Sequence, residues 1–282
     1  RWGDDLSQFS RTAAARDLHS LVEATRKPGD AVFVYGVSYG TALALRYLEL
    51  YPKEATGAVL DSIVTPKNPF TRYDRRYDAA AKLLFDRCGA DSFCANKLSA
   101  DPWTILGDAY DHIDAGHCSN LGSPQVVRST IRGLLAALLG DFERRVALPA
   151  ILYRLALCRP ADVKALAFLN QSLAPVVTEA ERAGSGALLA NIGFSEYWDE
   201  PAPPLAELEA DARDVLVSTD LGVRLARLHA RWPRYAHDPV VLPEVEASLL
   251  MLAGGLDAAT PLVLAKDAAI RYTRADQHFV VF

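Results

Sequence analysis

The stretch VFVYGVSYGTALALRYLELYP, residues 32–52, leaves this chain few folds to choose from. An apolar run from Ala31 to Tyr35 leads into Gly36–Gly40, and a helical pattern from Thr41 to Tyr51 follows until Pro52 ends it. An apolar run without alternation is how a strand reads when both its faces are buried in a parallel sheet. Upstream, Ala14, Leu18, Leu21 and Val22 recur at helical spacing between Thr12 and Arg26, before Lys27-Pro-Gly-Asp30 breaks the pattern. Downstream, TGAVLDS from Thr56 to Ser62 is a second buried-strand run. Helix, strand, turn, helix, strand predicts parallel strands joined by right-handed crossovers.

The grammar changes after TPKNP. From Phe70 to about Pro243 the chain shows helical stripes separated by Pro, Gly and Asn breaks, among them Asp78–Arg87, Pro124–Leu139, Ala161–Leu173 and Leu205–Val217. Pro201-Ala-Pro-Pro204 reads as a rigid connector within this block. Strand character returns in ASLLMLAGGLD, Ala247 to Asp257, with Thr260 expected as the N-cap of a helix and Pro261 at its first position. HFVVF, His278 to Phe282, reads as one more strand. The expected class is therefore α/β: a parallel sheet with a large helical cap inserted between core strands. The expected divisions are a core over 1–68, a helical cap over 69–243 and a returning core over 244–282.

Gly36-Val37-Ser38-Tyr39-Gly40 matches Gly-x-Ser-x-Gly, the turn that presents a nucleophilic serine between a strand and a helix. The serine backbone must be strained there, and side chains at 36 and 40 are expected to collide across the turn. The helix that follows aims its N-terminus at Ser38, which favours developing negative charge, and the Tyr39 N–H is the expected half of an oxyanion hole. An acid is needed next. Asp257 lies just past a strand end, where open α/β sheets gather their functional groups, and it follows Ser38 in the order serine, acid, histidine; Asp61 competes with it. Of the six histidines only His278 follows Asp257. It opens its strand, whereas a base is expected past the strand's far end, so the expected base lies beyond Phe282 with His278 as the alternative. The chain opens on Arg1 and closes on Phe282 within patterned segments, so both ends read as cut.

Charge and cysteines narrow the setting. A net charge of −5 implies no basic face, which argues against nucleic-acid binding. No apolar stretch reaches the roughly 18–20 residues of a membrane span. The four cysteines, Cys88, Cys94, Cys118 and Cys158, suit two disulfides in an oxidising compartment, and three connectivities are possible. Cys88–Cys94 with Cys118–Cys158 is the preferred set; free thiols are one alternative, and a zinc site that adds His112 and His117 is the other.

These motifs resemble those of the α/β-hydrolase superfamily. More narrowly, TAAARDLHSL, VYGVSYGTALALRYLELYP, AVLDSIVTP and LAGGLDAATP resemble the tripeptidyl- and prolyl-aminopeptidase-like serine peptidases. FDRCGADSFCANKL, GHCS and NIGFSEYWDEPAP are similar to the extended cap of secreted microbial members. The resemblance implies Ser38 as nucleophile, Asp257 as the acid that orients the histidine, and Tyr39 as one oxyanion donor. The second donor is expected upstream of Arg1. It also implies Glu196 as anchor for the ammonium group of a peptide with a free N-terminus, and Trp198 as a wall of that pocket. No cofactor or metal is implied, and the implied location is extracellular or within the secretory pathway. The activity expected is an aminopeptidase-type serine peptidase working through an acyl-enzyme. A carboxylic ester hydrolase, or a catalytically incomplete binding protein, is the alternative.

Overall fold

The computed structural model describes residues 5–173 and 184–282. The chain divides into two units: one of Arg1–Arg72, Ser185–Pro204 and Leu225–Phe282, the other of Tyr73–Gly184 and Leu205–Arg224.

The first unit carries a four-stranded, all-parallel sheet in the order β1 (Phe33–Val37), β2 (Gly57–Asp61), β3 (Ser248–Ala253), β4 (Gln277–Val281). Helix α1 (Arg11–Thr25) is capped by the Ser10 hydroxyl, which accepts from Ala13 N–H, and α2 (Tyr39–Leu50) follows β1. A core around the sheet joins its elements: Leu45, Tyr47 and Leu48 of α2 pack with Leu60 of β2, Leu249 and Met251 of β3, and Ala265 and Ala268 of α12 (Leu262–Ala269). Burying each large aliphatic side chain there stabilises the fold by roughly 1.5–3 kcal/mol.

The strands sit close to where the sequence predicts them, with two informative differences. β1 runs through Gly36 and Val37, which pair with Leu60 and Asp61, so the turn contracts to Ser38 alone. β1 is also not buried on both faces: Phe33 is 73% exposed and Tyr35 64% on one face, while Val34 and Gly36 on the other are half-buried and buried, so the apolar run is covered from one side only. Thr260 does not cap α12 as expected. Its hydroxyl donates to Asp257 instead, and the helix starts at Leu262 with Pro261 in the cap position.

The second unit is helical. It contains α3 (Tyr73–Ala90), α4 (Ser92–Leu98), α5 (Pro102–Asp114), α6 (Pro124–Leu139), α7 (Leu148–Leu157), α8 (Pro160–Leu173) and α10 (Leu205–Asp214). Helix α6 matches its predicted span because Ser123-Pro124 starts it and its apolar stripe, Val127, Ile131, Leu134, Leu135 and Leu138, is buried. Disulfides join Cys88 to Cys94 and Cys118 to Cys158, the preferred connectivity. His117, Cys118 and Cys158 do approach one another, but both sulfurs are bonded to each other and cannot serve as thiolate ligands.

The segments 185–204 and 225–243, expected in the cap, belong to the unit that carries the sheet. The reason is visible in α9 (Gly186–Glu196), where Ile192 packs with Ala42 of α2 and with Tyr197. Helix α11 (Leu221–His229) spans the division of the two units. Among the described residues no helix is long and apolar enough to cross a membrane.

Candidate active site

Ser38 occupies the junction of β1 and α2 with φ 52° and ψ −124°. A non-glycine residue with positive φ stores on the order of 1–3 kcal/mol of strain and persists only where its surroundings over-determine it. Those surroundings can be named. The Ser38 N–H donates to the Asp61 carbonyl at 2.9 Å, continuing the β1–β2 ladder by one more bond. The Ser38 carbonyl accepts twice, from Thr41 N–H at 2.9 Å and from Thr41 Oγ1–H at 2.7 Å. Gly36 makes the close crossing possible, since a Cβ there would lie 2.4 Å from the Gly40 carbonyl oxygen. The expectation that Gly40 is constrained in the same way is corrected: a Cβ at Gly40 meets nothing within 4 Å. Gly36 approaches the Gly40 carbonyl, which lies on the backbone, so only one of the two glycines is needed for clearance.

The consequence is chemical. The Ser38 side chain is exposed, and among the described residues its hydroxyl makes no hydrogen bond. Tyr39 holds the first helical position, whose N–H has no intrahelical acceptor. Among the described residues, then, a hydroxyl without a hydrogen bond stands beside an N–H without an intrahelical acceptor and the positive end of a 12-residue helix.

Val37, Asp61, Leu252 and Val280 lie in register across the sheet, so the residues after them share one edge. Asp257 lies four residues past the end of β3 on that edge. Its Oδ1 accepts from the N–H groups of Ala259 (2.9 Å) and Thr260 (2.8 Å), and its Oδ2 accepts from the Thr260 hydroxyl (2.6 Å). These donors fix the carboxylate without adding a countercharge. The competing acid, Asp61, ends β2 and accepts from the Tyr35 hydroxyl at 3.0 Å; that bond raises the Tyr35 pKa.

His278 stands apart from this edge. It pairs with Leu250, which pairs with Val59, opposite Tyr35 of β1. Ser38 is three residues further along and three strands away, about 10 Å up the strand direction and about 14 Å across the sheet. Phe282, by contrast, leaves the sheet on the edge that carries Ser38 and Asp257: its N–H donates to the Ala253 carbonyl, and its own carbonyl accepts from Gly255 N–H.

The two expected substrate residues fall in different surroundings. Glu196 is buried at the end of α9 and already engaged. Its Oε1 accepts from the Arg11 backbone N–H (2.9 Å) and the Tyr235 hydroxyl (2.6 Å), and its Oε2 faces the Arg11 guanidinium at 3.4 Å. A substrate ammonium would have to displace Arg11. The Tyr39 hydroxyl also lies in this neighbourhood, its pKa pushed well up by burial and then by the Glu196 carboxylate. Trp198 stacks on His229 with ring centroids 4.6 Å apart and meets Phe194 edge-on at 5.3 Å. Burial and the nearby Arg234 cation hold His229 below the ordinary imidazole pKa.

Thr41, Asn68, Arg11 and Tyr235 complete the surroundings and carry no motif signal in the sequence. Thr41 alone was within reach of inference, because a Ser or Thr three residues after a turn residue often bonds back to that residue's carbonyl.

No protein-family model matches the sequence, and no curated protein matches it.

Proposed function

We propose that this chain carries the working core of a serine hydrolase of the α/β-hydrolase type, most specifically an aminopeptidase-type serine peptidase. The backbone of Ser38 carries the reading: a strained, non-glycine conformation at a strand-to-helix junction, with its hydroxyl making no hydrogen bond among the described residues. In this reading Ser38 Oγ attacks the carbonyl of a peptide with a free N-terminus, and Tyr39 N–H stabilises the oxyanion. Asp257 orients the histidine base, which this reading expects on the same edge, where Phe282 leaves β4. That histidine takes the Ser38 proton and returns it to the departing amine, and water then releases the acyl group. Two disulfides accord with an extracellular or secretory location.

One observation favours a second reading. With Glu196 paired to Arg11, the anchor for a free ammonium is occupied, and a carboxylic ester hydrolase needs no such anchor. Turnover of a free-amine peptide amide, its N-acetylated counterpart and an aryl ester by the full-length protein separates the two. The peptidase reading expects the free amide to be cleaved far faster than the blocked one, and Glu196→Gln to raise KM for it while sparing the ester. Cleavage of the ester alone, or equal loss on both substrates in Glu196→Gln, overturns it in favour of the second reading.

A further inference from the structure

Residues 64–68, in the loop that leaves β2, are hydrogen-bonded to the Ser38 turn at one end and to the Asp257 loop at the other, and a buried side chain pins each end. At one end is Thr41, which is 0% exposed. Its Oγ1 accepts the Val64 N–H at 2.8 Å and donates to the Ser38 carbonyl at 2.7 Å. The roles are forced: a backbone N–H can only donate, so the single hydroxyl proton is left for Ser38. At the other end Asn68, 6% exposed, donates from Nδ2 to the Ala259 carbonyl at 3.2 Å. Ala259 N–H is in turn one of the donors to Asp257. Between these pins the loop is braced internally, with Asn68 N–H on the Thr65 carbonyl (3.1 Å) and Lys67 N–H on Thr65 Oγ1 (3.2 Å).

We propose that Thr41 and Asn68 are positioning residues that set the placement of Ser38 relative to Asp257 through this braced segment. The proposal rests on the reading of Ser38 and Asp257 as nucleophile and acid. Two physical arguments support it. The Ser38 carbonyl reports ψ of the strained residue, and Thr41 supplies both of its donors, so releasing Thr41 lets the turn relax. The Thr41 hydroxyl couples that carbonyl to the loop rather than only to its own helix, which a core-filling threonine has no need to do. A displacement of about 1 Å at a reacting group can cost on the order of a hundredfold in rate.

The test uses the full-length protein as wild type, Thr41→Val, Thr41→Ser and Asn68→Ala. The second-order rate of Ser38 modification by a fluorophosphonate is measured with kcat, KM and the pH profile on an aryl ester. Thr41→Val keeps the shape and removes the hydroxyl; it lowers the modification rate and kcat about tenfold or more, with little change in KM. Thr41→Ser keeps the hydroxyl and removes the methyl, and it restores most of the wild-type rate. Asn68→Ala lowers kcat as well and moves the acid limb of kcat/KM to lower pH, because an acid that drifts from the histidine stabilises its charged form less. A Thr41→Val rate equal to wild type, a Thr41→Ser rate as slow as Thr41→Val, or an unmoved acid limb in Asn68→Ala overturns the positioning role while the nucleophile reading stands. Failure of the wild-type protein to be modified at Ser38 overturns the reading itself and the proposal with it.

Discussion

Gly36 and Gly40 look equivalent in the sequence and differ in the structure, and that difference gives a sharp prediction. In Gly36→Ala the new Cβ would stand 2.4 Å from the Gly40 carbonyl oxygen, 2.6 Å from its carbon and 2.9 Å from Thr41 N. Ordinary contact begins at 3.4 Å, so the strand and helix must separate by 3.4 − 2.4 = 1.0 Å at the tightest atom. All three obstructing atoms are backbone, and no rotamer change relieves them. Overpacking of this kind costs about 1–3 kcal/mol, and the rigidity of the obstruction places Gly36→Ala near 3. Gly40→Ala meets nothing and lies inside α2, where alanine improves on glycine by about 0.5–1 kcal/mol. The two variants should therefore differ by about 4 kcal/mol in urea denaturation followed by far-ultraviolet circular dichroism. Equal stability of Gly36→Ala and wild type would refute the steric argument. Equal losses in both variants would show that the glycines act together after all.

Further outcomes follow from the same geometry. Ser38→Gly removes the positive-φ strain and should raise stability by about 1 kcal/mol while abolishing nucleophilic reactivity, whereas Ser38→Ala should not stabilise; both are read by denaturation midpoints. Paired serine substitutions should cost about 4 kcal/mol at Cys118–Cys158, separated by 40 residues, and about 2 at Cys88–Cys94, separated by 6, if loop closure in the unfolded chain dominates. The His229 pKa is lowered on folding, so the unfolded chain binds the proton more readily. The stability contributed by the neutral ring is then full above about pH 6.5 and is lost as pH falls through the lower folded value. Replacing the titratable imidazole with a phenyl ring in His229→Phe should flatten that part of the stability–pH curve.

The alternation of helix and strand, the sheet's parallel sense and the close Cys88–Cys94 pair could be read from local patterns, because apolar runs, helical spacing and short cysteine spacing are properties of neighbouring residues; Cys118–Cys158, 40 positions apart, followed only as the remaining pair. What could not be read depends on distant partners. An apolar run such as that around Phe33 shows that a strand prefers burial, not which of its sides will find a neighbour. Glu196 looks free in FSEYWDEP because its partner Arg11 lies 185 positions earlier. Likewise, placing α9 with the sheet depends on how Ile192 meets Ala42, which helical periodicity within the block cannot express. At the turn itself, spacing identifies Ser38, but only φ, ψ and the Gly36 clearance separate a strained, presented serine from an ordinary small residue.

The most direct test of the account is the site of covalent modification in the full-length protein treated with a fluorophosphonate probe and mapped by peptide mass spectrometry. The account predicts a single adduct on Ser38 that disappears in Ser38→Ala while the protein stays folded. An unmodified Ser38, or an adduct that persists in Ser38→Ala, would contradict it.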